Sequence, residues 1–179
     1  DEWFDPASGM TEYDPATGKY TMELGKAFAN EFPIRVVCQV LGFPDEARDK
    51  FYYWYKYMMG GIGGRDYEQK GLMARQDLED FVESIVEERR LKPNFLLDDE
   101  GNEVAPDIIS ELCKTVVDGD VLSTEEITSN IALIVGGGGE TTRGAILNMW
   151  YLLLQHPDQM EAVLNNDPLW DAAFHETLR

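Results

Sequence analysis

Basic residues, histidine and cysteine are all scarce in this sequence, and the shortages exclude several classes of protein. The 179 residues contain 15 Lys and Arg against 34 Asp and Glu, which gives a formal net charge of −19. Such a chain has no basic face to neutralise phosphates, so a nucleic-acid binder is excluded. No uninterrupted apolar run approaches the roughly 18 residues that a transmembrane helix needs, so no membrane span is expected.

The two cysteines, Cys38 and Cys113, are also informative. They stand far apart and have no Cys or His partner at the spacing of a zinc site or a CxxC motif. A disulfide framework is therefore not expected, and a reducing cytoplasm is the predicted location. Cys38 falls inside an apolar helical segment, which predicts a small buried hydrophobe rather than a ligand.

Helical periodicity runs through most of the chain and predicts a mainly α fold, and the length of 1–179 suits a single domain. Strand signals are weak throughout. The predicted order is listed here: an irregular, exposed start over 1–20, lid-like helices over about 44–92, a long central helix over about 124–155, and the start of a last helix over 169–179. The aromatic helix after Pro44 is interpreted either as packed on both sides or as a mobile lid hinged at Gly60–Gly64.

The central helix has a clear start and an unusual middle. Ser123 and Glu126 have the form of a capping box, which predicts a helix beginning at about Thr124. Apolar residues occupy nearly all faces of this segment, which predicts a helix buried almost all round. Four consecutive glycines, Gly136 to Gly139, then sacrifice roughly 4 kcal/mol of helix propensity. This run predicts a local opening of the helix or the close approach of a bulky or flat group.

The glycines are followed at once by Glu140, Thr141 and Thr142. A carboxylate beside a hydroxyl can pass protons toward a bound species, and glycines remove side chains that would block a planar group. A phosphate-binding loop is excluded because no Lys-Ser or Lys-Thr follows the glycines. The alternative is structural: the glycines let two helix backbones touch where they cross.

Two motifs in order resemble a known family. Gly137 to Thr142 resembles the oxygen-activation signature of the cytochrome P-450 superfamily, and Glu176-Thr177-Leu178-Arg179 resembles its Glu-x-x-Arg motif. The linking sequence, including His156-Pro157-Asp158-Gln159, is similar to that of soluble bacterial members. The resemblance runs from about residue 20 to the end. It implies a mainly α internal fragment of the cytochrome P-450 fold that reaches as far as Glu-x-x-Arg.

The resemblance also implies roles for individual residues. Thr141 is expected to be the alcohol beside the oxygen that haem activates, and Glu140 the acid that passes protons toward it. Gly137 and Gly138 are expected to lie where the helix passes over the haem, while Thr142 is expected to serve helix packing. Glu176 and Arg179 form a buried ion pair in the family. The lid interpretation of the aromatic helix becomes the favoured one.

The function implied is that of a haem monooxygenase. Such an enzyme inserts one oxygen atom of O₂ into a lipophilic substrate, with electrons from NAD(P)H through ferredoxin reductase and ferredoxin. The family's haem-ligating cysteine follows Glu-x-x-Arg and is expected outside this chain, so neither Cys38 nor Cys113 is carried over as the ligand. A partial sequence, inactive by itself, is therefore expected. Two alternatives stay open, a non-catalytic all-α interaction domain and an inactive truncated product.

Overall fold

A computed structural model describes residues 11–59 and 65–179. The chain forms two units, residues 34–138 and residues 1–33 together with 139–179. The fold is mainly helical, as predicted. The helices are α1 (Glu31–Leu41), α2 (Ala47–Met59), α3 (Arg65–Leu91), α4 (Ile108–Lys114), α5 (Thr124–Gly138), α6 (Glu140–Gln155), α7 (Pro157–Leu164) and α8 (Leu169–Thr177), with a short π-helix at Gly25–Ala29. The strands form antiparallel hairpins: β1 (Thr11–Asp14) with β2 (Lys19–Met22), β3 (Leu96–Leu97) with β4 (Glu103–Val104), and β5 (Val116–Val117) with β6 (Asp120–Val121).

The core of the unit 34–138 lies where α2, α3 and α5 pack together. Apolar residues spaced about one helical turn apart supply it, as an amphipathic helix requires. Its fully buried side chains include Phe51, Trp54, Leu78, Val82, Ile127, Ile131 and Val135. Trp54 also ties α2 to α3, because its indole N–H donates to Asp77 Oδ2 over 2.6 Å. The two lid-like helices are therefore held together by a polar contact as well as by apolar packing.

The start of α5 confirms the capping box. The Glu126 N–H donates to Ser123 Oγ over 3.1 Å, and the Ser123 N–H donates back to Glu126 Oε2 over 2.7 Å. The pKa of Glu126 is lowered, first by the backbone N–H of Ser123 and then by its side chain. Both N–H groups lie at the N-terminal end of α5, where the helix itself supplies no acceptor for them. The capping box therefore determines where α5 begins.

The end of α1 depends on Gly42. Its φ of +76° is left-handed, and the bonds from Gly42 N–H to the Gln39 carbonyl (3.1 Å) and from Phe43 N–H to the Cys38 carbonyl (2.9 Å) form a Schellman motif. A Cβ added at Gly42 would overlap the carboxyl group of Asp107. Two independent constraints, backbone conformation and space, therefore require glycine here.

The other unit is built around α6, which contacts the π-helix, α7 and α8. The rings of Trp150 on α6 and Trp170 on α8 lie 6.1 Å apart. Its β1–β2 hairpin turns at Asp14–Gly18, where the Thr17 hydroxyl and the Ala16 N–H both donate to the Asp14 carboxylate. These two bonds, the hydroxyl first, lower the pKa of Asp14.

The hairpins correct part of the prediction for the start of the chain. Residues 11–22 form β1 and β2 rather than an irregular segment, while residues 1–10 lie outside the described residues. The glycine hinge predicted at 60–64 also lies outside them. All three hairpins have strands of two to four residues, too short to show the alternating pattern on which a strand prediction depends.

The predicted burial of the central helix is wrong for part of its surface. Leu133 on α5 is 76% exposed and Leu154 on α6 is 68% exposed, although their neighbours Ile131, Val135 and Leu153 are buried. The apolar composition of the central helix did not show which of its faces are covered by other elements and which stay exposed. Among the described helices, none has the length and apolarity needed to cross a membrane.

Candidate active site

The glycine run interrupts the central helix at one residue. α5 ends at Gly138, α6 begins at Glu140, and Gly139 between them has φ −88° and ψ −73°. The new helix starts at once, since the Arg143 N–H donates to the Gly139 carbonyl over 3.0 Å. The predicted bounds of about 124–155 are confirmed, and the predicted local opening falls at Gly139.

Gly137 and Gly138 have different surroundings. A Cβ added at Gly138 would lie 2.7 Å from Cγ2 of Val37 on α1, so this glycine lets two helices of the same unit approach closely. A Cβ added at Gly137 would meet no atom of the described residues within 4 Å beyond its own helical turn. Close crossing of two helices therefore explains the glycine at position 138. Gly137 is the position that leaves space beside the helix.

This difference predicts that alanine changes the free energy of unfolding differently at the two positions. Gly138→Ala should lower the free energy of unfolding by about 1–3 kcal/mol, the usual cost of overpacking, because the new methyl group meets Val37. Gly137→Ala should leave it unchanged or raise it by up to about 1 kcal/mol, since alanine favours helix. Urea unfolding followed by circular dichroism measures both changes.

The double variant Val37→Ala/Gly138→Ala serves as the control. Removing the Val37 methyl groups should make the Gly138→Ala substitution cost less than it does in the native background. Equal costs in the two backgrounds would show that the Val37 contact does not explain Gly138.

Glu140 and Thr141 occupy the first turn of α6 and are both exposed. The Glu140 carboxylate pairs with a residue that the sequence analysis did not single out, because Arg143 Nη1 donates to Glu140 Oε1 over 2.8 Å. The three-residue spacing of an acid and a base on one helix could have indicated this pair. Arg143 thus holds the side chain of the predicted proton donor.

Glu176 and Arg179 form the predicted ion pair, with 3.2 Å between Arg179 Nε and Glu176 Oε2. The pair is not buried, however, since the two side chains are 68% and 81% exposed. No residue of α8 is buried, so nothing within the described part of this helix shields the two charges. An exposed ion pair contributes only about 0–1 kcal/mol to stability. The prediction that this pair is buried is therefore not supported by the structure.

A groove of about 690 Å³ opens between α2, α3 and α5. Its walls include Tyr57 and Met58 on α2, Leu72 on α3, and Leu133 and Gly137 on α5. The lid-like helices and the glycine run therefore line one largely apolar space in the unit 34–138. A groove of this size and composition is typical of a site for a small lipophilic molecule.

The two cysteines do not join this groove. Cys38 is 4% exposed and belongs to the apolar core, which confirms the prediction of a buried hydrophobe. Burial raises the pKa of its thiol from 9.0 to about 11. Burial is also the main cause of the raised pKa of Cys113. Both groups are thus kept as neutral thiols near pH 7, and thiolates are the form that ligates metals.

Comparison with known proteins identifies the family. The family model for cytochrome P450 matches residues 39–179. The chain belongs to the cytochrome P450 family. This match includes the glycine run, Glu140, Thr141 and the Glu-x-x-Arg motif, so the family assignment and the sequence motifs agree.

Individual cytochrome P450 proteins support the assignment. A cytochrome P450 of Bacillus subtilis is 33% identical over 158 residues, which cover 88% of this chain and 36% of the relative. A vitamin D(3) 25-hydroxylase of Pseudonocardia autotrophica is 30% identical and covers 97% of this chain, with 39% of its own length matched. The ligand-free structure of cytochrome P450 TbtJ1 has a TM-score of 0.74 and 26% identity, over 87% of this chain and 39% of that one. The chain thus spans somewhat over a third of the length of these relatives.

Proposed function

We propose that this chain is part of a haem-dependent monooxygenase that inserts one oxygen atom of O₂ into a lipophilic organic molecule. The observation that carries the proposal is the acid–alcohol pair Glu140–Thr141 at the start of α6, three residues after Gly137, where no described atom would obstruct a Cβ. The hydroxylase name of the Pseudonocardia relative supports the same reaction class.

The residues around Gly137 fit the approach of a haem. A broad, flat group needs a helix face without side chains, and no described atom would obstruct a Cβ at Gly137. The neighbouring surface is apolar, with Leu133 and Ala132 lining the same groove. Gly137 would therefore lie against the haem, while Gly138 contributes by letting α1 and α5 cross. Haem supplies the activation of O₂ when it is bound, and its axial ligand is proposed to come from outside this chain.

The chain's own residues then deliver protons and hold the substrate. Glu140 accepts protons from solvent, for which its exposed carboxylate is suited, and passes them toward the Thr141 hydroxyl. Arg143 orients that carboxylate through the 2.8 Å bond. The apolar groove binds the lipophilic molecule and keeps water from it. Excluding water favours product formation over the release of hydrogen peroxide.

Electrons are proposed to come from NAD(P)H through ferredoxin reductase and ferredoxin, in the cytoplasm. Because the net charge is −19, the association of the protein with ferredoxin can be examined by varying the salt concentration. Association through charged patches slows as ionic strength rises.

The test is a reduced carbon monoxide difference spectrum of the whole haem-bound protein, which includes the proposed axial ligand as well as this chain, followed by turnover of a panel of lipophilic compounds under isotopically labelled O₂. The expected result is a thiolate-haem spectrum and one labelled oxygen atom in each product molecule. Product oxygen that derives from water, or a protein that binds haem without this spectrum, would overturn the proposal.

A further inference from the structure

A small pocket in the unit 34–138 lies away from the apolar groove, where the end of α3 meets α4. Its volume is about 190 Å³. Sites for drug-sized molecules measure roughly 300–1,000 Å³, so this pocket suits a small ion. Leu72 in the groove and Arg89 in the pocket are 17 residues apart on α3, which at about 1.5 Å per residue is about 25 Å. The two spaces are therefore separate sites.

The side chains around this pocket are basic or neutral, although the chain as a whole is acidic. Arg89, Arg90 and Lys114 line it, together with the polar side chains of Asn94 and Ser110. None of the described residues that line it is Asp or Glu. The sequence has 34 acidic residues against 15 Lys and Arg, so a lining with three cations and no acid runs against the composition. The pocket therefore offers positive charge to an anion.

Arg89 has a hydrogen-bond donor that the protein leaves without an acceptor. Its Nε is buried and has no hydrogen-bond partner within the described part of the chain. Its Nη2 lies 3.8 Å from Asp107 Oδ2, which is longer than an N–H···O hydrogen bond. The same carboxylate accepts from the Ser110 N–H over 2.7 Å, and it does not line the pocket. Because a buried donor without an acceptor is costly, an acceptor bound in the pocket would remove that cost.

Lys114 is held beside the pocket by contacts that leave it able to bind an anion. Its Nζ lies 4.9 Å from the centroid of the Phe95 ring and 3.0 Å from Glu111 Oε2. The pair with Glu111 is exposed to solvent, and exposed pairs are weak. An ammonium group has three N–H donors, so Lys114 can donate to an anion and keep its contact with Glu111.

Arg90 contributes charge rather than open donors. Its Nη1 donates to Thr124 Oγ1 over 2.9 Å, and its Nη2 donates to the Leu122 carbonyl over 2.6 Å. Both acceptors are neutral, so these bonds hold the guanidinium group beside the pocket without cancelling its charge. The other two cations are paired with Asp107 and Glu111, and neither of these carboxylates lines the pocket. Positive charge is therefore in excess at the pocket itself.

We propose that this pocket binds a tetrahedral oxyanion of the phosphate type, either as the free ion or as the end of a phosphate ester. The donors belong to three segments: Arg89 ends α3, Asn94 follows it, and Lys114 ends α4. A tetrahedral ion has several acceptor oxygens and can meet donors from all three segments at once. A planar carboxylate instead matches the fork of a single guanidinium group. The inference concerns a site outside the groove and does not depend on the proposed function.

The test is titration calorimetry of the whole haem-bound protein with phosphate, glycerol 3-phosphate and acetate at one fixed ionic strength, which keeps the screening of surface charge constant. Phosphate or its ester should bind at least about tenfold more tightly than acetate. The tighter of the two identifies the free ion or the ester as the occupant, and either result supports the site. Acetate binding as tightly as both, or no binding of either phosphate, would overturn the proposal.

Three variants separate a site from general attraction to charge. Lys114→Gln should weaken phosphate binding about tenfold, as the loss of one charged donor implies. Glu111→Gln removes the carboxylate paired with Lys114 and should strengthen binding several-fold, a gain that damage to the fold would not produce. Lys92→Gln is the matched control, because Lys92 is an exposed lysine near the end of α3 that does not line the pocket. Equal weakening by Lys92→Gln and Lys114→Gln would contradict a specific site.

Cys113 provides a readout within the pocket, because its half-buried thiol lines it. Phosphate should slow the alkylation of Cys113 by N-ethylmaleimide several-fold, as measured by mass spectrometry of the peptide that contains it. Cys38 is the internal reference, since it is buried in the apolar core and phosphate should not change its alkylation. An unchanged rate at Cys113 would show that phosphate binds elsewhere, which overturns the assignment. Neither measurement requires turnover, so failure of the proposed monooxygenase activity would leave this inference standing.

Discussion

Gly42→Ala is expected to lower the free energy of unfolding by about 3 kcal/mol. A left-handed conformation costs an alanine about 1–2 kcal/mol, and the φ of Gly42 is +76°. The new methyl group would also overlap the Asp107 carboxyl, which caps α4 by accepting from the Ser110 N–H over 2.7 Å. Displacing a cap costs about 1 kcal/mol more. Urea unfolding followed by circular dichroism measures the sum.

The Asp107 contact explains why the effect should be large. Its side chain is 5% exposed and lies 3.8 Å from Arg89 Nη2, so it cannot move away from Gly42 without leaving a partly buried cation poorly paired. Asp107 thus links the end of α1, the end of α3 and the start of α4.

Gly101→Ala is the control for this prediction. Gly101 also has a left-handed φ, +84°, but no described atom lies within 4 Å of where its Cβ would be. It should cost only the conformational part, about 1–2 kcal/mol. Equal losses at Gly42 and Gly101 would show that Asp107 gives way freely and that the contact adds nothing.

The features that the sequence predicted well are those fixed by nearby residues. The start of α5 depends on Ser123 and Glu126, three residues apart, and both bonds of the box are present. The interruption at Gly139 falls in a run of four glycines, whose low helix propensity is visible in the sequence itself. Such signals are visible in a short window of sequence.

The features that it missed depend on residues far apart in the chain. The role of Gly138 requires Val37, about a hundred residues earlier in the same unit. The groove brings Leu72 on α3 beside Leu133 on α5, and no motif connects them. The exposure of Leu133 likewise depends on which faces of α5 other helices cover. Periodicity shows that a helix has apolar faces but not which of them stays open.

The family resemblance assigned roles to individual residues but did not predict their surroundings. It predicted Glu140 as the acid that passes protons, and the structure adds Arg143 as a hydrogen-bond partner of that carboxylate. It identified the Glu176–Arg179 pair, and the structure shows the pair formed but exposed. Motifs record chemistry at a position, whereas burial depends on everything packed around it. The catalytic roles of Glu140 and Thr141 therefore remain predictions, and a direct test of the hydroxyl is needed.

Thr141→Ala should uncouple the proposed monooxygenase. Product formed per NAD(P)H consumed should fall by at least about tenfold, because positioned proton transfer contributes about 10²–10⁴-fold to such steps. NAD(P)H oxidation should continue, with hydrogen peroxide released in place of product. Thr141→Ser keeps a hydroxyl at the same position and should restore most of the coupling. The measurements are NAD(P)H absorbance, a peroxide assay and product quantification on the same reaction.

Thr142 provides a control of matched chemistry. Thr141 and Thr142 are both exposed residues of the first turn of α6, so either substitution removes one hydroxyl from the same stretch of helix. Successive residues of an α-helix point about 100° apart, so only one of the two hydroxyls can face a given group. Thr142→Ala should therefore leave coupling near the native value. If the two variants uncouple equally, the effect belongs to the stability of this helical turn, and the relay assigned to Thr141 is wrong.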